Sequence, residues 1–170
     1  MEDYHIDELD NKILRLISNN ARISFLEVAR VCSVSGAAVH QRIQRLIANN
    51  IITGSEFTLN VTRIGYETCA YVNLYFDPKA DIETSVERMR DIPEIVECHF
   101  TTGPYDLLVK IYARNNNHLH EIIQAKLRPL GVDRSESIIS YRESFRRQIT
   151  LASDTPEEPI SAAAILESEV

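Results

Sequence analysis

The stretch Ser24-Phe25-Leu26-Glu27-Val28-Ala29-Arg30-Val31-Cys32-Ser33-Val34-Ser35-Gly36-Ala37-Ala38-Val39-His40-Gln41-Arg42-Ile43-Gln44-Arg45-Leu46-Ile47 reads as two short amphipathic helices around one tight turn. Ser24 and Glu27 have the spacing of a capping box, in which each side chain meets the other's backbone amide. Ile23 before the cap and Val28 after it fit a hydrophobic staple. Ser35 is placed to cap the second helix, whose apolar stripe is Val39, Ile43, Leu46 and Ile47. The opposite face presents Ala37, Gln41 and Arg45, with Ala38, Gln44 and Arg42 beside it. Helix, short turn and capped helix with a basic outer face is the helix-turn-helix geometry that enters the DNA major groove.

Upstream, a helix is expected over about residues 7–20, with Asp7 as its cap and Leu9, Ile13, Leu16 and Ile17 on its inner face. The three helices share one small core, and the third ends near Asn49-Asn50. Ile51-Ile52-Thr53-Gly54 and Glu56-Phe57-Thr58-Leu59 read as a short hairpin or an extended linker, a hairpin there being a wing.

From Thr68 the hydrophobic period changes to 2. Val72, Leu74 and Phe76 alternate with Tyr71, Asn73 and Tyr75 in a strand, and Ile82, Val86 and Met89 mark a helix before Pro93. Residues 95–101 form a second strand with Val96, Cys98 and Phe100 on one face. After the turn Thr102-Gly103-Pro104-Tyr105, Leu107, Val109 and Ile111 mark a third. Leu119, Ile122, Ile123 and Leu127 mark a helix closed by Pro129 and Gly131, and residues 136–145 form the last strand. The fold class is α+β: an N-terminal winged helix-turn-helix domain and a C-terminal ferredoxin-like βαββαβ domain. The expected bounds are 1–54 for the first, 55–67 for an extended hinge, 68–150 for the second and 151–170 for an acidic, disordered tail. One face of the sheet is covered by both helices. The other carries Tyr71, Tyr75, Leu108 and Tyr112, too apolar for water, which points to dimerisation through the sheet.

Net charge is −7, unusual for a nucleic-acid partner, but its distribution is uneven. Residues 11–55 carry six bases against Glu27 alone, a net of +5, and residues 151–170 carry five acids and no base. A local basic patch serves phosphate contacts better than total charge does. A flexible anion is expected to compete with phosphate for those bases. No apolar run approaches the roughly 18 residues of a membrane span. The opening Glu2 and Asp3 do not resemble a secretory signal. Cys32, Cys69 and Cys98 are odd in number and sit in apolar patterns, as buried free thiols of a reducing cytoplasm do.

In this order and spacing, several segments together resemble the Lrp/AsnC, or feast/famine, family of transcription regulators over roughly residues 6–147. They are Ile6-Asp7-Glu8-Leu9-Asp10-Asn11-Lys12-Ile13-Leu14, Ala21-Arg22-Ile23-Ser24, Val34-Ser35, Arg42-Ile43-Gln44-Arg45-Leu46, Ile51-Ile52-Thr53-Gly54, Ile64-Gly65 and Gly103-Pro104-Tyr105-Asp106-Leu107. Asn49-Asn50 replaces the family's common Glu-Gly, Ser55 stands where an aromatic residue is frequent, and the acidic tail is extra. The resemblance implies a homodimer built on the C-terminal domain, assembled further into tetramers or octamers. Such assemblies bind promoter DNA and respond to an amino acid or related small molecule held between dimers.

On that reading the DNA-binding residues are Ser35, Ala37, Ala38, Gln41, Arg42, Gln44 and Arg45. Gln pairs with adenine, Arg with guanine or phosphate, and small Ala side chains approach a thymine methyl. The loop Gly103, Tyr105 and Asp106 is by itself an ordinary turn; the resemblance makes it an effector site. A neighbouring chain would contribute residues near the start of the last strand, by position Ser135, Glu136 and Ser137. No cofactor, metal or catalytic residue is expected, and His99, His118 and His120 lack partners at ligand spacing. Two other readings keep the architecture. One is a sirohaem decarboxylase-like enzyme recruiting His99, Arg142 and Arg146. The other is a chromosome-organising binder without an effector.

Overall fold

The structure is a computed structural model that describes residues 4–149. The expected acidic tail lies outside the described residues. The chain divides into two compact units, one within Met1–Phe57 and one spanning Thr58–Arg146, and their boundary falls inside the expected hinge.

The first unit is three helices: α1 Glu8–Asn19, α2 Phe25–Cys32 and α3 Gly36–Ala48. Ser24 accepts the Glu27 amide at 3.1 Å and Ser35 accepts the Ala38 amide at 3.1 Å. The full capping box stands on α1, where Asp7 accepts the Asp10 amide and Asp10 accepts the Asp7 amide in return. Around Ser24 only the serine's half of the expected box is formed.

The turn between α2 and α3 is a Schellman motif. Ser33 is left-handed, with φ of 56°, its amide reaches Arg30 and the Val34 amide reaches Ala29. The same motif ends α3. Asn50 is left-handed, its amide bonds Ile47, and the Ile51 amide bonds Leu46. Ile13, Val28, Val39 and Leu46 are fully buried, and Leu9, Ile17, Ile23, Val34 and Ile52 pack around that core. Ile47, expected in the stripe, is 44% exposed at its margin.

The expected wing is not formed: residues 53–60 contain no strand. Ile51 and Ile52 both donate to the Leu46 carbonyl, which folds the chain back onto the end of α3, and Ile52 joins the helical core. Their backbone donors are consumed by helix termination, not by strand pairing.

The second unit is a sheet of β1 Thr68–Phe76, β2 Ile95–Phe100, β3 Leu107–Ala113 and β4 Val132–Ser140, antiparallel in the order β2-β3-β1-β4. With α4 Ile82–Met89 and α5 Asn116–Glu121 between strands, this is the ferredoxin-like βαββαβ order. Val72, Leu74, Val109 and Ile111 are fully buried against Met89, Leu119, Ile122 and Leu127.

Beyond α5 the helix widens into a π-turn over Ile122–Leu127. In an α-helix Ile122 and Leu127 would lie about 140° apart. The i to i+5 bonding of the π form turns both into the core. β4 begins at Val132 and stops at Ser140, not at 136 and 145 as expected. Gly131, left-handed with φ of 93°, stops the preceding turn at once, and Val132 pairs Phe76 immediately. A bulge between Ile95 and Glu97 breaks the expected Val96–Cys98–Phe100 face. Ile95 and Cys98 pack on the core, and Val96 is 49% exposed.

Candidate functional site

On α3 the side chains opposite Val39, Ile43 and Leu46 point to solvent. Ala37, Gln41, Gln44 and Arg45 are exposed, Ala38 is half-buried, and Ser35 at the cap is exposed. The capped turn fixes the start of this helix, and its buried row fixes its rotation. Six of the seven predicted DNA-binding residues therefore share one accessible side of α3 or its cap. His40 is exposed with its ring 6.0 Å from that of Phe25.

Arg42 is the correction. It is half-buried, and its guanidinium turns toward the start of α1, where Nη1 bonds Asp7 and reaches Asp10 Oδ1 at 3.1 Å. Asp10 is 1% exposed, and its second oxygen accepts the Tyr4 hydroxyl at 3.0 Å. The Arg42 hydrogen bond, then the Asp10 amide, holds the Asp7 carboxyl below its ordinary range. The signal was legible: three residues after Val39 and one before Ile43, Arg42 sits about 60° from the buried row, not opposite it.

In the second unit the Gly103 loop is tied to the sheet. Thr101 Oγ1 donates to the Tyr105 carbonyl at 2.9 Å, and the Asp106 amide donates to Leu74 at 3.0 Å. A Cβ at Gly103 would stand 3.3 Å from the Tyr105 ring, so a larger residue there would need that ring to give by a few tenths of an ångström. Tyr105 meets Tyr75 edge-on at 6.3 Å between centroids. Tyr75 in turn donates to Glu136 at 3.2 Å, with the Arg134 guanidinium 3.8 Å from its ring centre. Arg134 also pairs with Glu136 at 3.2 Å.

Three expectations change here. Asp106 is not an idle acceptor, because its Oδ2 takes the Phe76 amide at 2.8 Å. Ser135, Glu136 and Ser137 lie in the middle of β4, paired with Leu74, Asn73 and Val72. Strand alternation puts Ser135 and Ser137 on the helix-covered side and Glu136 on the open side, so the three do not converge. Tyr75 and Arg134, which link the loop to Glu136, were not among the predicted site residues.

The open sheet face holds Tyr71, Tyr75, Leu108 and Tyr112 as expected, and also Lys110, which sequence reading passed over. Lys110 is 3% exposed, with Nζ 3.0 Å from Glu97 and 5.6 and 5.7 Å from the Tyr71 and Tyr112 ring centres. Burial works against its ammonium, and the Glu97 carboxylate more than reverses this, holding the lysine above its usual value. Period 2 alone puts Lys110 between Leu108 and Tyr112 on this face. His99 lies beside it on β2, 3.6 Å from Glu97, and Arg146 lies 3.8 Å from Glu143. His118 faces Glu94 at 3.6 Å, and Lys126 bonds both Glu94 oxygens.

Two family models match the chain: the AsnC-type helix-turn-helix domain over residues 6–47 and the Lrp/AsnC ligand binding domain over residues 69–149. An HTH-type transcriptional regulator, Ptr1 of Methanocaldococcus jannaschii, is 34% identical over 125 residues, 74% of this chain and 84% of that one. The structure of Escherichia coli AsnC aligns with a TM-score of 0.80 at 25% identity, covering 87% of this chain and all of that chain. A feast or famine regulatory protein of Mycobacterium tuberculosis complexed with L-methionine aligns with a TM-score of 0.81 at 21% identity, over 86% and 100% of the two chains.

Proposed function

We infer the function from one premise: the chain belongs to the Lrp/AsnC family and is a helix-turn-helix transcription regulator. The observation that carries this reading is α3, a capped helix behind a tight left-handed turn whose exposed side bears Gln41, Gln44 and Arg45. In a major groove Gln41 reads a base edge, and Arg45 binds guanine or phosphate. Ala37 and Ala38 allow close approach, and Ser35 brings the helix N-terminus to the backbone. Arg42 is left out of the contact set because its guanidinium is spent on α1.

The second unit senses a small molecule and joins protomers. A solved relative of the same fold is complexed with L-methionine, which supports an amino acid as the ligand class here. The Gly103–Tyr105 turn supplies backbone donors for a carboxylate, and Glu136, held by Tyr75 and Arg134, supplies an acceptor for an ammonium. Tyr71, Leu108, Lys110 and Tyr112 form the self-association face, so the working unit is a homodimer or a larger assembly of dimers. It acts in the cytoplasm on the nucleoid, without catalysis.

The test begins with DNA. Duplexes selected from a random pool by the full chain are used in anisotropy and light scattering with each of the twenty amino acids in millimolar excess. An enriched sequence, with one amino acid that changes both its affinity and the assembly size, is the expected result. The response should vanish in Glu136→Gln while basal DNA binding stays, because ligand and assembly are linked through one site. No enriched duplex would sink the regulator's DNA assignment. Enrichment with no amino-acid response would leave a constitutive DNA binder.

A further inference from the structure

We propose that Arg42 is a positioning residue of the recognition helix: with Asp7 and Asp10 it forms a charge clamp that locks α3 against the start of α1, and it touches no DNA. The inference rests on the DNA-binding reading of α3 and deepens it. Asp7 and Asp10 already form the reciprocal capping box of α1. Each also gives a carboxylate oxygen to the same Arg42 nitrogen, 35 and 32 residues away in sequence respectively. One rigid element, the first turn of α1, therefore fixes one long side chain of α3. Tyr4 closes the set by donating to the remaining Asp10 oxygen.

The surroundings explain why a clamp is needed. The core of this unit is small, and on α3 it consists of Val39, Ile43 and Leu46. That row sets the rotation of α3 through apolar packing, which is itself non-directional. A planar guanidinium held by two carboxylates is directional. Gln41 and Arg45 lie about 100° and 60° from Arg42 around the same helix, so their heading follows that of Arg42.

The clamp makes a prediction whose sign a phosphate contact or simple electrostatics would reverse. Asp7→Asn keeps a good cap, because asparagine caps as well as aspartate, and removes one negative charge. Long-range electrostatics alone would then tighten DNA binding. The clamp predicts the opposite, a loss of about tenfold, the scale of one charge-assisted contact. Arg42→Met should lose a similar factor while the slope of log affinity against log salt stays as in wild type. The double variant should be no worse than either single one, the mark of a shared contact.

The measurement is anisotropy on a duplex selected from a random pool by the wild-type chain, at several salt concentrations, with thermal melting to show that each variant is folded. Tighter binding by Asp7→Asn overturns the clamp. So does a fall in salt slope of about 0.9 in Arg42→Met, the signature of one lost phosphate contact. Either outcome leaves the DNA-binding reading standing; failure of the wild-type chain to enrich any duplex removes both.

Discussion

The outer side of α3 and the open face of the sheet both carry a base paired to carboxylate, but at opposite depths. On α3 the pair lies behind the exposed side, where Arg42 is turned in toward Asp7 and Asp10, and Gln41, Gln44 and Arg45 face solvent. On the sheet the pair lies within the face. Lys110 is almost fully buried between Tyr71 and Tyr112 and faces Glu97. A surface that keeps polar side chains in water suits a hydrated, charged partner such as the DNA backbone. The patch of Tyr71, Leu108 and Tyr112, whose lysine is already neutralised by Glu97, suits burial against protein. The difference teaches that the placement of ion pairs, rather than total charge, separates the two kinds of surface.

The largest expected effect compares the two cores. Leu46→Ala and Leu74→Ala remove similar fully buried side chains, each at about 3 kcal/mol. The three-helix unit has few residues to share that loss. Amide exchange in Leu46→Ala should therefore lose protection in α1–α3 while β1–β4 stay protected. Uniform loss of protection in both units would show a single cooperative structure and erase the comparison.

Next comes the sheet face itself. Leu108 lies beside Lys110 on that face, opposite Asn73 and His99. On the proposed self-association face, Leu108→Asp would place a charge where a second copy excludes water, at a cost of about 3 kcal/mol. Sedimentation equilibrium should show dissociation to monomers. Assembly like that of wild type would mean that the chains meet elsewhere.

A smaller loss is expected on α3. Gln41→Ala and Arg45→Ala should each weaken binding to a selected duplex by about 1–3 kcal/mol. Their melting curves should match wild type, because both side chains are exposed. Unchanged affinity in the folded double variant would move the contact surface off this helix.

The smallest effect separates the two ion pairs by pH. The Asp7 carboxyl is held below its ordinary value of 3.8, so its contribution is full above that pH and is lost as pH falls through the lower folded value. Lys110 is held above its ordinary 10.5, so its contribution is full below that pH and is lost as pH rises through the higher folded value. Denaturant melts followed by circular dichroism should lose an acid-side slope in Asp7→Asn and an alkaline-side slope in Lys110→Met. Slopes that persist in both variants would mean that other groups carry the linkage.

Local patterns in the sequence determined much of this protein. Ser24, Ser35 and Asp7 mark helix starts because a side-chain oxygen must meet an amide a few residues on. The alternation of Val72, Leu74 and Phe76 gives β1 because one face of that strand is buried. The order of such elements was enough to read a helix-turn-helix followed by βαββαβ. Tertiary structure alone decided where side chains with two options went. Arg42 was placed beside the outer face of α3, but it had two carboxylates within reach at the start of α1, the buried Asp10 and the partly exposed Asp7, and that pairing joins residues 32 and 35 positions apart. Asp106 takes a backbone amide 30 residues away. Ile51 and Ile52, apolar enough for a strand, end a helix instead because the Leu46 carbonyl was available. Ser135 and Ser137 part from Glu136 by strand alternation alone, but which face each takes is set by the register of β4 on β1, which shifts at an irregularity between Tyr75 and Phe76. Caps and periodicity depend on neighbours in the chain; long-range pairings depend on which partner the fold brings near, and only the folded chain decides that.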